Sequence, residues 1–220
     1  MTKQRRCEWL AVAAAALIAA PTLAADLVHH HGFETCWSPA LDKPQFLTAM
    51  RTSIDGKTGC IPPQSGNESG VAYTVCNVAN GCGSGVPGCA VVLQAGVFSG
   101  DFVAGSFAAP GTASNIAAPL DAGFFGSCTV NITAITLTYT LDYLMRVDGI
   151  DGVYTDDLQT PAVDIVSYAS NNNCNALIGA AIASYLPQAI VSAETGAASA
   201  IEPSLRANTL ERAICPLSVP

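Results

Sequence analysis

Histidine is nearly missing from this 220-residue chain: its three copies, His29, His30 and His31, stand side by side. A Ser-His-Asp or Cys-His arrangement would have to recruit its base from that one run, and neither an H-E-x-x-H helix nor a C-x-x-C-H haem site occurs. The chain also lacks a G-x-S-x-G elbow, a P-loop and a G-x-G-x-x-G turn, which argues against nucleotide-cofactor enzymes. Charge is scarce: 12% of residues are charged, with nine Lys and Arg against seventeen Asp and Glu. No basic cluster follows Arg6, so nucleic acid and anionic lipid head groups are poor partners. The apolar run Trp9 to Ala20 falls short of the ~20 residues a helix needs to cross a bilayer, so no transmembrane anchor is expected.

What is present begins with an export leader. Lys3, Arg5 and Arg6 precede that apolar run, and Pro21-Thr22-Leu23-Ala24-Ala25 supplies small residues for cleavage. Residues 1–25 read as a signal peptide of bacterial character, and the mature chain as secreted or periplasmic. Cleavage takes the basic count from nine to six and the acidic count from seventeen to sixteen, a net charge of −10. Eight cysteines remain: Cys36, Cys60, Cys76, Cys82, Cys89, Cys128, Cys174 and Cys215. An even count in an oxidising compartment predicts up to four disulfides. Zinc is disfavoured because the spacings from Cys76 to Cys82 and Cys89 lack tight C-x2-4-C pairs. The pairing expected first is Cys174 with Cys215, closing the C-terminal segment.

The predicted fold class is α+β, with an antiparallel, bulged sheet packed on C-terminal helices. Residues 26–89 form a Cys-rich, turn-rich segment with a short helix near Pro44–Arg51 and a strand at Val71–Cys76, packed on residues 90–220. Val130 and Ile132 alternate with polar residues, and the apolar parity then shifts to Ile135, Leu137, Tyr139, Leu141 and Tyr143. A bulge near Thr133-Ala134 follows from that shift. Ala162–Tyr168 is the expected antiparallel return strand. Leu177, Ile178, Ala181, Ile182, Tyr185, Leu186 and Ala189 recur at helical spacing, with Asn173 as cap and Pro187 as a kink or a second start. A further helix is expected from Ser204 to Cys215, with Pro203 at its start and Pro216 as its stop.

The remaining candidates for chemistry are weak. The histidine run reads as a solvated arm, because neighbours in an extended segment alternate sides. Asp148, Asp151, Asp156 and Asp157 invite calcium, yet Ile150 stands where a ligand is needed and a Gly149/Gly152 turn explains them as well. Asp156 with Asp157 could also serve a glycosidase. No catalytic residue, cofactor or metal site is assigned. Whether the chain is an enzyme stays open, with the balance of residues against it.

A long bulged strand, a return strand ending near Asn173-Cys174 and an amphipathic helical segment closed by Cys215 together look like a half-module of the tubular lipid-binding (TULIP-type) proteins. The resemblance runs from Ala90 to Cys215 and is one of pattern, with no residue motif. It implies a highly curved sheet around a long helix and an elongated apolar cavity for lipid acyl chains. The first functional expectation is therefore a non-enzymatic carrier or sensor of an apolar, lipid-like ligand. Its cavity would be lined by Ile135, Leu137, Tyr139, Leu141, Ile178, Ile182 and Tyr185. A void above ~300 Å³ among these side chains favours the carrier, whereas close packing reads as a filled core. The second expectation is a structural or adhesive surface module that self-associates, and the third is a secreted hydrolase.

Overall fold

The computed structural model describes residues 36–37, 43–68, 70–102, 104–148, 152–210 and 213–214. The segment expected to be an export leader, the histidine run, the acidic turn 149–151 and Cys215 lie outside them, as does the side chain of Cys36.

Strand β9 (Ser127–Asp148), 22 residues long, is the spine of a twelve-stranded sheet. On one side its first part pairs with β8 (Ile116–Asp121) and its second part with β7 (Ser106–Ala113). The switch between these neighbours falls between Ile132 and Ile135, where Ala134 takes a φ of 52°. This is the predicted bulge. The left-handed residue resets the parity, so Val130 and Ile132 before it and Ile135, Leu137, Tyr139, Leu141 and Tyr143 after it all face the core. On the other side β11 (Ala162–Asn172) returns antiparallel along Thr140 to Val130, as predicted, and β10 (Gly152–Leu158) pairs with the end of β9.

The Cys-rich segment is more regular than its turn residues indicate. Helix α1 (Lys43–Ile54) and β4 (Val71–Val75) occupy the predicted helix and strand, but β2 (Thr58–Ile61) and β3 (Gln64–Glu68) join them. β3 pairs with β4, and β4 with β8. β2 pairs with β5 (Cys89–Ala95), which continues to β7, while β6 (Ser99–Asp101) pairs with the start of β7. β2, β3 and β6 are short and contain Gly or Ser, so tertiary pairing decides them more than alternation does, whereas β5 alternates buried and exposed residues throughout. At the far edge β12 (Ala213–Ile214) pairs with β10, and β1 (Cys36–Trp37) runs parallel to β12.

Helix α2 (Ala176–Thr209) is one continuous helix of 34 residues, where a kink or restart at Pro187 and a separate helix from Ser204 to Cys215 were expected. Both prolines lie on its exposed face, and so do Ala183 and Ser199, whose carbonyls lose their partner to Pro187 and Pro203. Water can satisfy those groups, so the prolines interrupt nothing in the core. The cap is Asn175, whose Oδ1 accepts from Ile178 N at 3.0 Å. Asn173 Oδ1 instead accepts from Thr129 N at 2.7 Å and holds the start of β9.

The sheet curls around this helix. Glu194 Oε1 accepts from Ile165 N of β11 at 2.9 Å, and two residues on, a Cβ added to Gly196 would lie 2.4 Å from the Cys60 carbonyl oxygen of β2. β11 and β2 are separated in the sheet by β9, β7 and β5, yet both meet the same turn of α2.

Three disulfides join described residues: Cys60–Cys82, Cys76–Cys89 and Cys128–Cys174. The last corrects the expected Cys174–Cys215 pairing. Asn172 registers with Val130 across the β9–β11 pair, so continuing both strands outward by two residues brings positions 174 and 128 together.

Candidate apolar ligand site

The seven predicted cavity residues all lie in the buried layer between the sheet and the helices, none more than 6% exposed. Among the described residues, two of the seven line a common space. Ile182 and Tyr185 meet Ile116, Val130 and Ile132, at the end of α2 nearest its N-terminus. The space left there is about 10 Å³, roughly one water's worth. Among the described residues, this end of the layer is thus close to filled.

Further along, Tyr139 packs on Phe98 at 6.5 Å, and its ring fills the space beside Gly111, where an added Cβ would lie 2.3 Å from the ring. Its hydroxyl reaches Gln94 O at 3.4 Å. At the far end Tyr143 joins Phe46 and Phe107 at ring distances of 5.8 and 5.9 Å. Thr209 Oγ1 donates to Leu205 O at 2.6 Å, so the 3.0 Å contact between Tyr143 and Thr209 has the tyrosine as donor. Tyr143, Phe46 and Tyr73 were not singled out as site residues; their signal was the alternation of β9 and β4 and the helical period of α1.

Tyr185 differs from both. Its ring meets Tyr73 edge-on at 6.1 Å and lines the narrow seam, but its buried hydroxyl has no hydrogen-bond partner among the described residues. An orphaned buried hydroxyl costs about 1–3 kcal/mol. Burial, and then the neighbouring Tyr73, push its pKa up to about 12; burial does the same for Tyr143, partly offset by the positive charge of Arg206. Tyr139 is raised too, by burial and by Asp55.

A pH dependence follows with a definite sign. An unfolded tyrosine ionises near pH 10 and these folded ones only above it, so their contribution is complete below pH 10 and is lost as pH rises toward 12. Denaturant titrations are expected to show stability falling by roughly 2–3 kcal/mol for Tyr143 and by less for Tyr185, whose environment is wetter, over that window. Unchanged stability from pH 9 to 12 would contradict the burial of both rings.

The polar candidates fare differently. Asp157 is paired with Arg206, which also binds Glu202 and donates to Leu158 O at 2.7 Å, so this carboxylate ties β10 to α2. A surface cleft of about 510 Å³ opens between α1 and the β5–β7 strands, lined by Arg51, Asp55, Gln94 and Thr112 among others. Arg51 pairs with Asp55 at 3.1 Å, and Asp55 Oδ1 accepts from Ala95 N, so its charges are internally matched. None of the seven predicted residues lines this cleft.

No protein-family model and no curated protein matches the chain. Among solved structures it is similar to a lipopolysaccharide binding protein, with TM-score 0.47 and 14% identity over 78% of this chain. It spans 38% of that protein. It is also similar to Takeout 1 of Epiphyas postvittana, with TM-score 0.34 and 13% identity over 80% of this chain and 92% of the other.

Proposed function

We propose that the chain is an exported, disulfide-stabilised, non-enzymatic binding protein that takes an apolar, lipid-like molecule into the seam between β9 and the first half of α2. The observation that carries this reading is the Tyr185 hydroxyl, without a hydrogen-bond partner among the described residues, in a seam whose described lining is otherwise apolar. A ligand with an apolar chain and one hydrogen-bonding group satisfies both parts of that lining. The seam is closed as it stands, so binding parts α2 from the sheet. Each buried CH₂ of the ligand returns about 0.8 kcal/mol toward that opening.

Titration of the mature protein with a fluorescent long-chain fatty acid is expected to give saturable, one-to-one binding. Tyr185→Phe should weaken it roughly tenfold while stabilising the free protein by about 1 kcal/mol, because the orphan is removed. No saturable binding to the wild type overturns the proposal; a Tyr185→Phe protein that binds equally well removes the hydroxyl from it.

A self-associating surface module is the second reading, and one observation favours it. From Val166 to Asn172, β11 is exposed, uncharged and paired only with β9 among the described strands, with Val166 66% exposed. Such an edge is a template for another strand. Concentration-dependent mass by light scattering, abolished in Tyr168→Lys, would support it.

A further inference from the structure

Phe124 and Phe125 stand apart from the buried phenylalanines. Phe46, Phe98, Phe102 and Phe107 are at most 5% exposed, whereas Phe124 is 98% and Phe125 41% exposed. They occupy the 3-10 turn Gly123–Phe125 between β8 and β9, with rings edge-to-face at 5.8 Å. The turn is held from several sides. Gly123 N donates to Asp121 Oδ1 at 2.9 Å, Ala122 N to Gly126 O at 2.9 Å, and Asn175 Nδ2 at the head of α2 to Phe125 O at 3.2 Å. The Cys128–Cys174 bridge lies just behind it.

The surroundings are nearly free of charge. No residue from Ala122 to Leu141, from Ile165 to Ala193 or from Val71 to Gly100 is charged, and these stretches supply the turn, the start of β9, the end of β11, the head of α2 and β4. Asp121, whose carboxylate is bound to the turn, and Glu68, which registers with Val71 at the end of the β3–β4 pair, are the exceptions. Among the described residues, charge is thus sparse at this end and none of it is positive.

We infer that this turn is a docking point on a neutral, zwitterionic phospholipid bilayer, with the two rings entering the head-group region. Size separates this occupant from a protein partner. Two aromatic side chains bury at most roughly 300–500 Å², whereas a stable protein interface takes about 800 Å² from each side. A bilayer needs no complementary surface and accepts aromatic rings at its interface. With no cation among the described residues at this end, anionic lipid offers nothing extra. The inference does not depend on the fatty-acid reading, which is tested in solution without membranes.

The test is co-sedimentation of the mature, oxidised protein with phosphatidylcholine vesicles. The wild type is expected to sediment with them, to the same extent in low and high salt. Phe124→Ser with Phe125→Ser should bind roughly tenfold less or weaker still, with an unchanged melting temperature because both rings are outside the core. In Phe124→Trp, vesicles should shift the added fluorescence to the blue relative to the wild type, whose Trp37 supplies the background. Absence of wild-type binding, equal binding by the double variant, or binding only to anionic vesicles with loss in salt would each overturn the inference.

Discussion

Gly196→Val is expected to cost the folded protein about 3 kcal/mol, the upper end of what overpacking does, and Gly196→Ala to destabilise it in the same direction. On an exposed helix face glycine to alanine gains up to about 1 kcal/mol, so the sign itself is informative. Here the added Cβ would sit 2.4 Å from the Cys60 carbonyl oxygen and 3.3 Å from its carbon, against backbone and not a flexible side chain. The strand cannot readily retreat, because Cys60 is bonded to Cys82. Opposite, a Cβ on Gly59 would lie 3.3 Å from the Ala197 backbone, so helix and strand approach without side chains between them. Chemical denaturation measures both variants. A Gly196→Ala protein more stable than the wild type would mean that β2 does not lie against α2, and the sheet would not close around the helix.

The second large effect is expected at Cys128–Cys174. Replacing both with alanine should destabilise by about 4 kcal/mol, against about 3 kcal/mol for either of the other two bridges, because the entropy of loop closure grows with loop length. The sequence separations are 46, 22 and 13 for Cys128–Cys174, Cys60–Cys82 and Cys76–Cys89. The longest bridge also joins the start of β9 to the chain between β11 and α2, where Asn173 and Asn175 make their contacts. Guanidinium titrations of the three double variants rank them; a Cys128–Cys174 variant that loses least would contradict the order.

Local periodicity made much of this fold readable from the residues. The parity shift between Ile132 and Ile135 marks the bulge at Ala134 because a period of two registers a single inserted residue, and the return of β11 follows from the same alternation. The continuity of α2 was not readable. A proline breaks a helix or passes unnoticed according to whether the carbonyl it abandons faces core or water, and only packing on the sheet puts Pro187 and Pro203 on the wet face. The partner of Cys174 depended likewise on strand register, which Asn172 opposite Val130 sets and spacing alone does not. Among the candidate site residues, Ile182 and Tyr185 announce themselves by helical period. That they meet Val130 and Ile132, while Leu137 and Tyr139 pack elsewhere, requires the tilt of helix on sheet. The lone hydroxyl of Tyr185 has no signature in sequence, since a tyrosine looks the same with or without a partner.

The most direct test of the central claim is native mass spectrometry of the disulfide-bonded protein purified from the cells that make it, followed by organic extraction and lipid analysis. A stoichiometric apolar adduct, recovered in the extract and lost on its removal, is the predicted result. A bare mass with nothing extractable, from protein never exposed to detergent, would contradict a binding role for the seam.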